Sequence, residues 1–347
     1  MEQLRLDIGI EWTDNALAEQ SRAEQSLSLS EKIIKAKEAI VLASNMSKEF
    51  YHKPLVVTYS GGKDSDVLLH LVEDSLNTGD FEVLNSHTTV DAPETVRHIR
   101  EVFKRLNEEG VKTTIYQPKD ENGNPVTMWN LIPRKQIPPS RLVRYCCEVL
   151  KEASSPNTIS LTGVRGSESR TRQGRDIFNV SKNKQEHLHF SLDHAEEVFK
   201  ESLEIQDDTW DCTLIKRMKE NEQVIVTPIY YWLDNDIWDY IRQEKIKYNP
   251  LYDLGFTRVG CVMCPLATRK NVQRELQIFP KYKKMYISAF DRMLEARKAN
   301  GKSNSNSNGT EWKTGEDVFN WYIGEQFRNC QGQLSIFGDE DERAINT

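Results

Sequence analysis

Hydrophobic and polar positions along the chain switch repeatedly between a helical and an extended period. Residues 15–50 look helical: Ile33, Ile34, Ala36, Ile40 and Val41, with Lys37, form an apolar stripe, and Ser30 before Glu31 reads as its cap. Val56, Val57 and Thr58 read as a buried strand, and Val67, Leu68, Leu69, Leu71 and Val72 as the buried face of a helix over 65–76. A second strand is expected over 81–90, a helix over 93–110 that stops at Gly110, and a third strand over 111–118. Residues 119–145 are irregular and carry Arg134, Lys135, Arg141 and Arg144 among prolines. A strand entering a basic loop follows over 158–175, then two short helices within 193–221, a strand over 224–232 and a helix over 233–246. Strands alternating with helices predict an α/β fold with a doubly wound parallel sheet, whose ligands sit at the carboxyl ends of the strands. Ser60–Ser65, Asp91 and Arg165 fall at such ends.

The stretch VVTYSGGKDSDVLLHL, from Val56 to Leu71, places its tightest and most charged turn between two buried elements. Gly61 and Gly62 allow a sharp turn and a close backbone approach. The N–H groups that open the next helix lack internal partners and carry the positive end of its dipole. Ser60, Lys63 and Ser65 add donors and charge, and Asp64 a carboxylate. This combination suits phosphate. Adjacent glycines followed directly by lysine do not match Gly-x-x-x-x-Gly-Lys-Ser/Thr. The plainer alternative is a Gly-Gly turn closing an ordinary βα unit.

Net charge is −7, which argues against a general nucleic-acid binder. No apolar run approaches the ~18 residues of a membrane helix. The start, MEQLRLDIGIEW, lacks the layout of a signal peptide, so the six cysteines are expected to be reduced thiols in a cytoplasmic setting. Cys146 and Cys147 are adjacent, and Cys261 and Cys264 form Cys-x-x-Cys. The two pairs could supply four thiolates to zinc or to an iron–sulfur cluster; a redox pair and inert buried thiols are the alternatives. Cys212 and Cys330 read as structural or incidental. His187, His189 and His194 could share a metal, but surface histidines are the simpler reading. Trp232, Trp238 and Tyr240 read as core. Lys281, Lys283, Lys284, Arg292 and Arg297 could track nucleic acid or form a solvated face. KSNSNSNG, over 302–309, reads as a flexible linker, and the tail from Leu334 is acidic.

With SGGKDS come DAPET (91–95), RYCCEVLKE (144–152), GVRGSESRTR (163–172) and NPLYDLGFTRVGCVMCP (249–265), in that order. Together they resemble the PP-loop ATP pyrophosphatases and the phosphoadenosine phosphosulfate (PAPS) reductase superfamily. The resemblance covers roughly 54–290, with a helical extension over 1–53 and a C-terminal extension over 291–347. It implies a five-stranded, adenine nucleotide α-hydrolase-like sheet. It also implies that Cys146, Cys147, Cys261 and Cys264 hold a 4Fe–4S cluster, as in the cluster-bearing members.

Sulfonucleotide reductases carry a nucleophilic cysteine in Glu-Cys-Gly-Leu-His, whereas Cys330 lies in RNCQGQ, without that Glu or His to activate it. The phosphate loop is intact here and usually degenerate there. The chain is therefore closer to ATP-using sulfur-transfer members such as the DndC-like enzymes of DNA phosphorothioation. This reading implies an adenine nucleotide (ATP, or PAPS or adenosine phosphosulfate in the reductase branch), Mg²⁺ and the cluster. Ser60, Gly61, Gly62, Lys63, Asp64 and Ser65 would cradle the phosphates, with Lys63, Asp64 and Arg165 catalytic. Arg170 and Arg172, with Arg165, could clamp phosphate or an anionic substrate, the alternative being a solvated basic loop. Asp91 would contact metal or ribose, or cap the helix over 93–110. The implied partners are a sulfur donor such as a cysteine desulfurase and an acceptor such as DNA or another nucleic acid, with no membrane; an oligomer is compatible. A sulfonucleotide reductase and a non-catalytic nucleotide- and cluster-dependent sensor are the competing functions.

Overall fold

A computed structural model describes residues 14–151, 158–168, 175–181, 187–204, 223–305, 309 and 311–333. Arg170, Arg172, Cys212 and the acidic tail lie outside the described residues. The chain divides into two compact units. One holds the described residues of 1–85, 98–114 and 154–249, the other those of 86–97, 115–153 and 250–347.

The first unit contains nearly all of the sheet. Its helices begin with α1 (Asp14–Ser26) and α2 (Leu29–Tyr51). The cap of α2 is Ser28, not Ser30: the Glu31 N–H donates to Ser28 Oγ, and the Ser28 N–H donates to the Glu31 carboxylate at 2.8 Å. That reciprocal pair closes a capping box. The stripe also turns relative to expectation. Ile34 and Val41 are exposed, whereas Ala36, Ala39, Ile40, Ala43 and Met46 are buried against the sheet.

The strands are β1 (Leu55–Thr58), β2 (Phe81–Ser86), β3 (Thr113–Tyr116), β4 (Ile159–Leu161), β5 (Phe178–Ser181), β6 (His187–Phe190) and β7 (Gln223–Val226). They form one sheet in the order β3-β2-β1-β4-β7-β5-β6. β1 pairs in parallel with β2 and β4, and β4 with β7. The fold class is therefore the α/β, mostly parallel one expected, but with seven strands in place of five. β5 and β6 extend it, antiparallel, past β7. Consecutive residues of β1 and β4 are all buried through Val57 and Leu161, so both faces of these strands are covered. The helices between the strands are α3 (Lys63–Glu73), α4 (Pro93–Glu108), α5 (Met128–Lys135), α6 (Tyr145–Leu150) and α7 (Leu192–Glu204), and α8 (Asp234–Glu244) follows β7. The expected strand over 224–232 stops at Val226, and the chain then turns. Trp232 and Tyr240 are core as expected, packed edge to face.

Tyr59, Asp66 and His98 form a buried polar group inside this unit. The Tyr59 hydroxyl donates to Asp66 Oδ1 at 2.5 Å, and His98 Nε2 lies 2.9 Å from the same oxygen and 3.0 Å from the hydroxyl. None of the three exceeds 4% exposure. Burial pushes the Asp66 carboxyl up, against the opposing pull of His98 and Tyr59.

The second unit packs α5 and α6 with α9 (Arg269–Ile278), α10 (Pro280–Ala299) and α11 (Gly315–Gln333). Two of the cations proposed for nucleic acid are engaged by protein. Arg292 donates to the Trp129 carbonyl at 2.9 Å, and Arg297 to the Gln136 carbonyl at 2.8 Å. Arg297 also binds the carbonyls of Ser303 and Ser305. The described part of 302–309 is thus pinned, and the Trp312 N–H donates to the Asn304 carbonyl at 2.7 Å. No described helix is long and apolar enough to cross a membrane.

The buried trio predicts a stability effect. His98→Leu leaves the Asp66 carboxyl with only the tyrosine as a described partner, and removing one partner of a buried hydrogen bond typically costs ~1–3 kcal/mol. Adding Asp66→Asn should recover part of the loss. Urea unfolding of both variants measures it; a His98→Leu protein within about 0.5 kcal/mol of wild type would count against a stabilising hydrogen bond.

Candidate functional site

The sheet order reverses direction between β1 and β4, and two loops leave the carboxyl ends of these neighbours. Such a switch point opens a crevice where α/β proteins bind ligands. The loop after β1 is Tyr59–Gly62. Gly61 takes φ +73°, which a side chain resists. Its carbonyl accepts from Asn249 Nδ2 at 2.9 Å, and Asn249 is fully buried. Ser65 Oγ donates to the Gly62 carbonyl at 2.8 Å and accepts the Gly62 N–H at 3.1 Å. Ser60 Oγ lies 3.3 Å from Ser65 Oγ. The loop after β4 lies against the start of α3: a Cβ on Gly163 would sit 2.9 Å from the Asp64 carbonyl oxygen. Gly166 packs the same way on the ring of Tyr230.

That approach brings Arg165 to Asp64. Arg165 Nε donates to Asp64 Oδ1 at 2.5 Å, and Lys63 Nζ lies 3.3 Å from Asp64 Oδ2. The sequence reading missed a fourth member. Asp234, the first residue of α8, puts Oδ1 at 2.8 Å from Lys63 Nζ and 3.0 Å from Arg165 Nη2. Burial pushes the Asp234 carboxyl up, but Lys63 and Arg165 more than offset that and hold it below its ordinary value. Lys63 and Arg165, though cationic, are each only 4% exposed. The expected grouping of Ser60–Ser65 with Arg165 is present. Both oxygens of Asp64 face cations, Oδ1 towards Arg165 and Oδ2 towards Lys63.

Asp91 belongs to the second unit. Its Oδ2 accepts the Thr88 N–H at 3.1 Å and lies 3.6 Å from His87 Nδ1, so among the described contacts it turns back on its own loop and does not cap α4. It pairs by backbone with Cys261 in an isolated antiparallel bridge. Cys146, Cys147, Cys261 and Cys264 lie in the same unit.

The Cys-x-x-Cys turn is clamped on its backbone. The Val262 N–H donates to the Val90 carbonyl at 2.8 Å, and the Val262 carbonyl accepts from the Tyr286 hydroxyl at 3.1 Å. The Met263 N–H donates to Glu275 Oε2 at 2.5 Å, and the Met263 carbonyl accepts from the Tyr322 hydroxyl at 2.6 Å. Met263 takes φ +57°, a strained conformation that these bonds hold in place. The thiols feel one another. The hydrogen bond to Cys147, burial and the charges of Cys147, Cys261 and Cys264 push Cys146 up. Cys147 is held down at about 5, first by the Cys146 hydrogen bond and also by Arg144 and Lys151, against burial. Four thiolates would suit a soft metal or cluster in donor chemistry. Yet among the described residues no three Cys, His, Asp or Glu side chains converge as a ready-made metal-holding group. His189 binds Asn179 at 2.7 Å, and His194 stacks on Phe190.

The chain matches the phosphoadenosine phosphosulfate reductase domain over residues 54–267. It belongs to that family. An uncharacterized protein of Methanocaldococcus jannaschii is 29% identical over 66% of this chain, and the match spans only 40% of that relative's length. Adenosine 5'-phosphosulfate reductase of Anoxybacillus flavithermus is 21% identical over 65% of this chain and 79% of its own. Among solved structures, phosphoadenylyl-sulfate reductase of Candida auris in a phosphate complex aligns with 73% of this chain and 97% of its own, at 15% identity and a TM-score of 0.40.

Glu275, which sequence reasoning did not single out, yields a pH prediction. Burial pushes its carboxyl up to about 7, against the Met263 N–H. The unfolded chain releases this proton at the ordinary, lower value. Stability should therefore fall as pH rises from about 4.5 through about 7 and level off above, a change of a few kcal/mol. Glu275→Gln keeps an acceptor and removes the proton, so this slope should vanish. Urea unfolding at pH 5 and pH 8 tests it; an unchanged slope in the variant would assign the pH dependence elsewhere.

Proposed function

We propose that this PAPS reductase-family protein binds an adenine nucleotide by its phosphates at Ser60–Ser65 and drives a pyrophosphate-releasing, ATP-dependent sulfur transfer. One observation carries this reading: two nearly buried cations, Lys63 and Arg165, flank a glycine turn at a helix N-terminus. Negative charge grows on the leaving pyrophosphate as a substrate oxygen attacks the α-phosphorus. A fixed ammonium and a fixed guanidinium stabilise that charge without reorganising solvent. The adenylated oxygen is then displaced by sulfur, and AMP leaves. A 4Fe–4S cluster on Cys146, Cys147, Cys261 and Cys264 would supply a site that holds sulfur, and the backbone clamp on Val262 and Met263 would keep two of its ligands in place. A cysteine desulfurase is a suitable sulfur source, and DNA a suitable acceptor.

The second reading is a sulfonucleotide reductase. It is favoured by the Anoxybacillus relative, whose name is that activity. The two separate by product: pyrophosphate from ATP under the first, sulfite from PAPS or adenosine phosphosulfate under the second. Nucleotide binding without either product would leave the non-catalytic sensor.

Two variants test the loop. Losing one electrostatic donor typically costs ~10²–10³ in rate, so Lys63→Ala should keep some ATP binding and release little pyrophosphate. Gly62 has φ −98° and ψ 159°, which any residue adopts. Gly62→Val therefore leaves the backbone unstrained and should lose binding because a side chain stands where phosphate must approach. Titration calorimetry with ATP and a pyrophosphate assay separate the two effects; wild-type affinity in both variants would reduce the loop to a turn.

The cysteines have their own test. Protein purified anaerobically should be brown, and alanine at Cys146, Cys147, Cys261 or Cys264 should bleach it. Tightly bound zinc after anaerobic iron–sulfur reconstitution would replace the cluster reading.

A further inference from the structure

Among the described residues, the ion pairs at the phosphate loop are balanced. Lys63 and Arg165 face two carboxylates, Asp64 and Asp234. A phosphate entering this arrangement competes with those carboxylates for both cations. The two differ in how firmly they are held. The Asp64 side chain is 17% exposed, lies in the first turn of α3, and bonds both cations through separate oxygens. Asp234 is 60% exposed and reaches both cations through Oδ1 alone. Water already solvates most of its carboxylate, so swinging out costs it little desolvation energy. The position of Oδ1, between an ammonium and a guanidinium, is also one that a phosphate oxygen would take.

We propose that Asp234 is a displaceable stand-in for phosphate: it neutralises Lys63 and Arg165 in the nucleotide-free protein and is exchanged for a phosphate oxygen when the ligand binds. This rests on the phosphate-binding reading above. The exchange keeps two low-exposure cations paired at every stage, and it makes affinity for phosphates lower than the bare cation pair would give. Ligands with several anionic oxygens displace the carboxylate more readily than singly charged anions do.

Titration calorimetry with inorganic pyrophosphate, in EDTA and again in excess Mg²⁺, tests the exchange. Asp234→Asn removes the charge, keeps nearly the same shape and keeps a residue tolerated at a helix start; circular dichroism checks its fold. Because a like charge beside an incoming anion is strongly unfavourable, Asp234→Asn should bind pyrophosphate at least about tenfold more tightly than wild type in EDTA. Asp234→Ser should do the same, which separates loss of charge from a new amide contact. Binding by wild type with unchanged or weaker binding by both variants would overturn the exchange and leave the phosphate reading standing. A loss in the variants seen only with Mg²⁺ would make Asp234 a metal ligand and overturn it too. No binding by either wild type or variants, with or without Mg²⁺, would overturn both readings.

Discussion

A cation withdrawn from water needs an anion close by, and Lys63 and Arg165 are both withdrawn. Much of the first unit's local architecture follows from that requirement. Lys63 opens α3 just past the loop after β1 and Arg165 stands in the loop after β4, so these strands must be neighbours. The β4 loop must also lie close enough to α3 for Arg165 to reach Asp64. Gly163 permits this, because any side chain there would strike the Asp64 backbone. Asp234 completes the pairing from the start of a third element. Under the proposed phosphate binding, the same arrangement that satisfies the cations would let an oxyanion replace a carboxylate.

The cysteine turn depends on a different constraint. A Cys-x-x-Cys loop is short, and its intervening backbone groups lose water when the loop is buried. Each such group of Val262 and Met263 finds a partner: a backbone carbonyl, a glutamate and two tyrosine hydroxyls. Buried networks of this kind hold one geometry well only when every member is satisfied. The positive φ of Met263 persists on those terms. The rigidity therefore resides in the turn's backbone, while the thiols respond to one another's charge.

The parts legible in the sequence were those with a local signature. β1, the glycine turn and α3 are contiguous, so their pattern survives in a short window. The order of strands and helices through β3 was legible for the same reason. β5 and β6 were not, because four-residue strands at the margin of a sheet carry little period of their own and owe their place to pairing, β5 with β7 and β6 with β5. Ser28 and Ser30 are both good caps by type; Glu31, three residues after Ser28, closes a capping box with it and decides between them, whereas the exposure of Ile34 and Val41 depends on which face of α2 packs. Asp234 and Asn249 act on the phosphate loop from distant positions, and nothing local marks them. Glu275, Tyr286 and Tyr322 resemble ordinary helix residues until the turn they hold is seen.

The buried Tyr59–Asp66–His98 group gains meaning from where its members stand. Tyr59 immediately precedes Ser60, and Asp66 immediately follows Ser65. Their side-chain hydrogen bond closes the whole phosphate loop into a ring, and His98 ties that ring to α4. A loop anchored at both ends gives up most of its conformational freedom during folding, so less is lost when a ligand arrives. Apolar packing alone could bury the same volume with less desolvation penalty. What it would not supply is a directional link between the last residue before the loop and the first residue after it. The polar trio is thus best understood as support for the loop's geometry: it holds the N-terminus of α3 and the glycine turn in one register, so that Lys63 and Arg165 meet an incoming anion already in position.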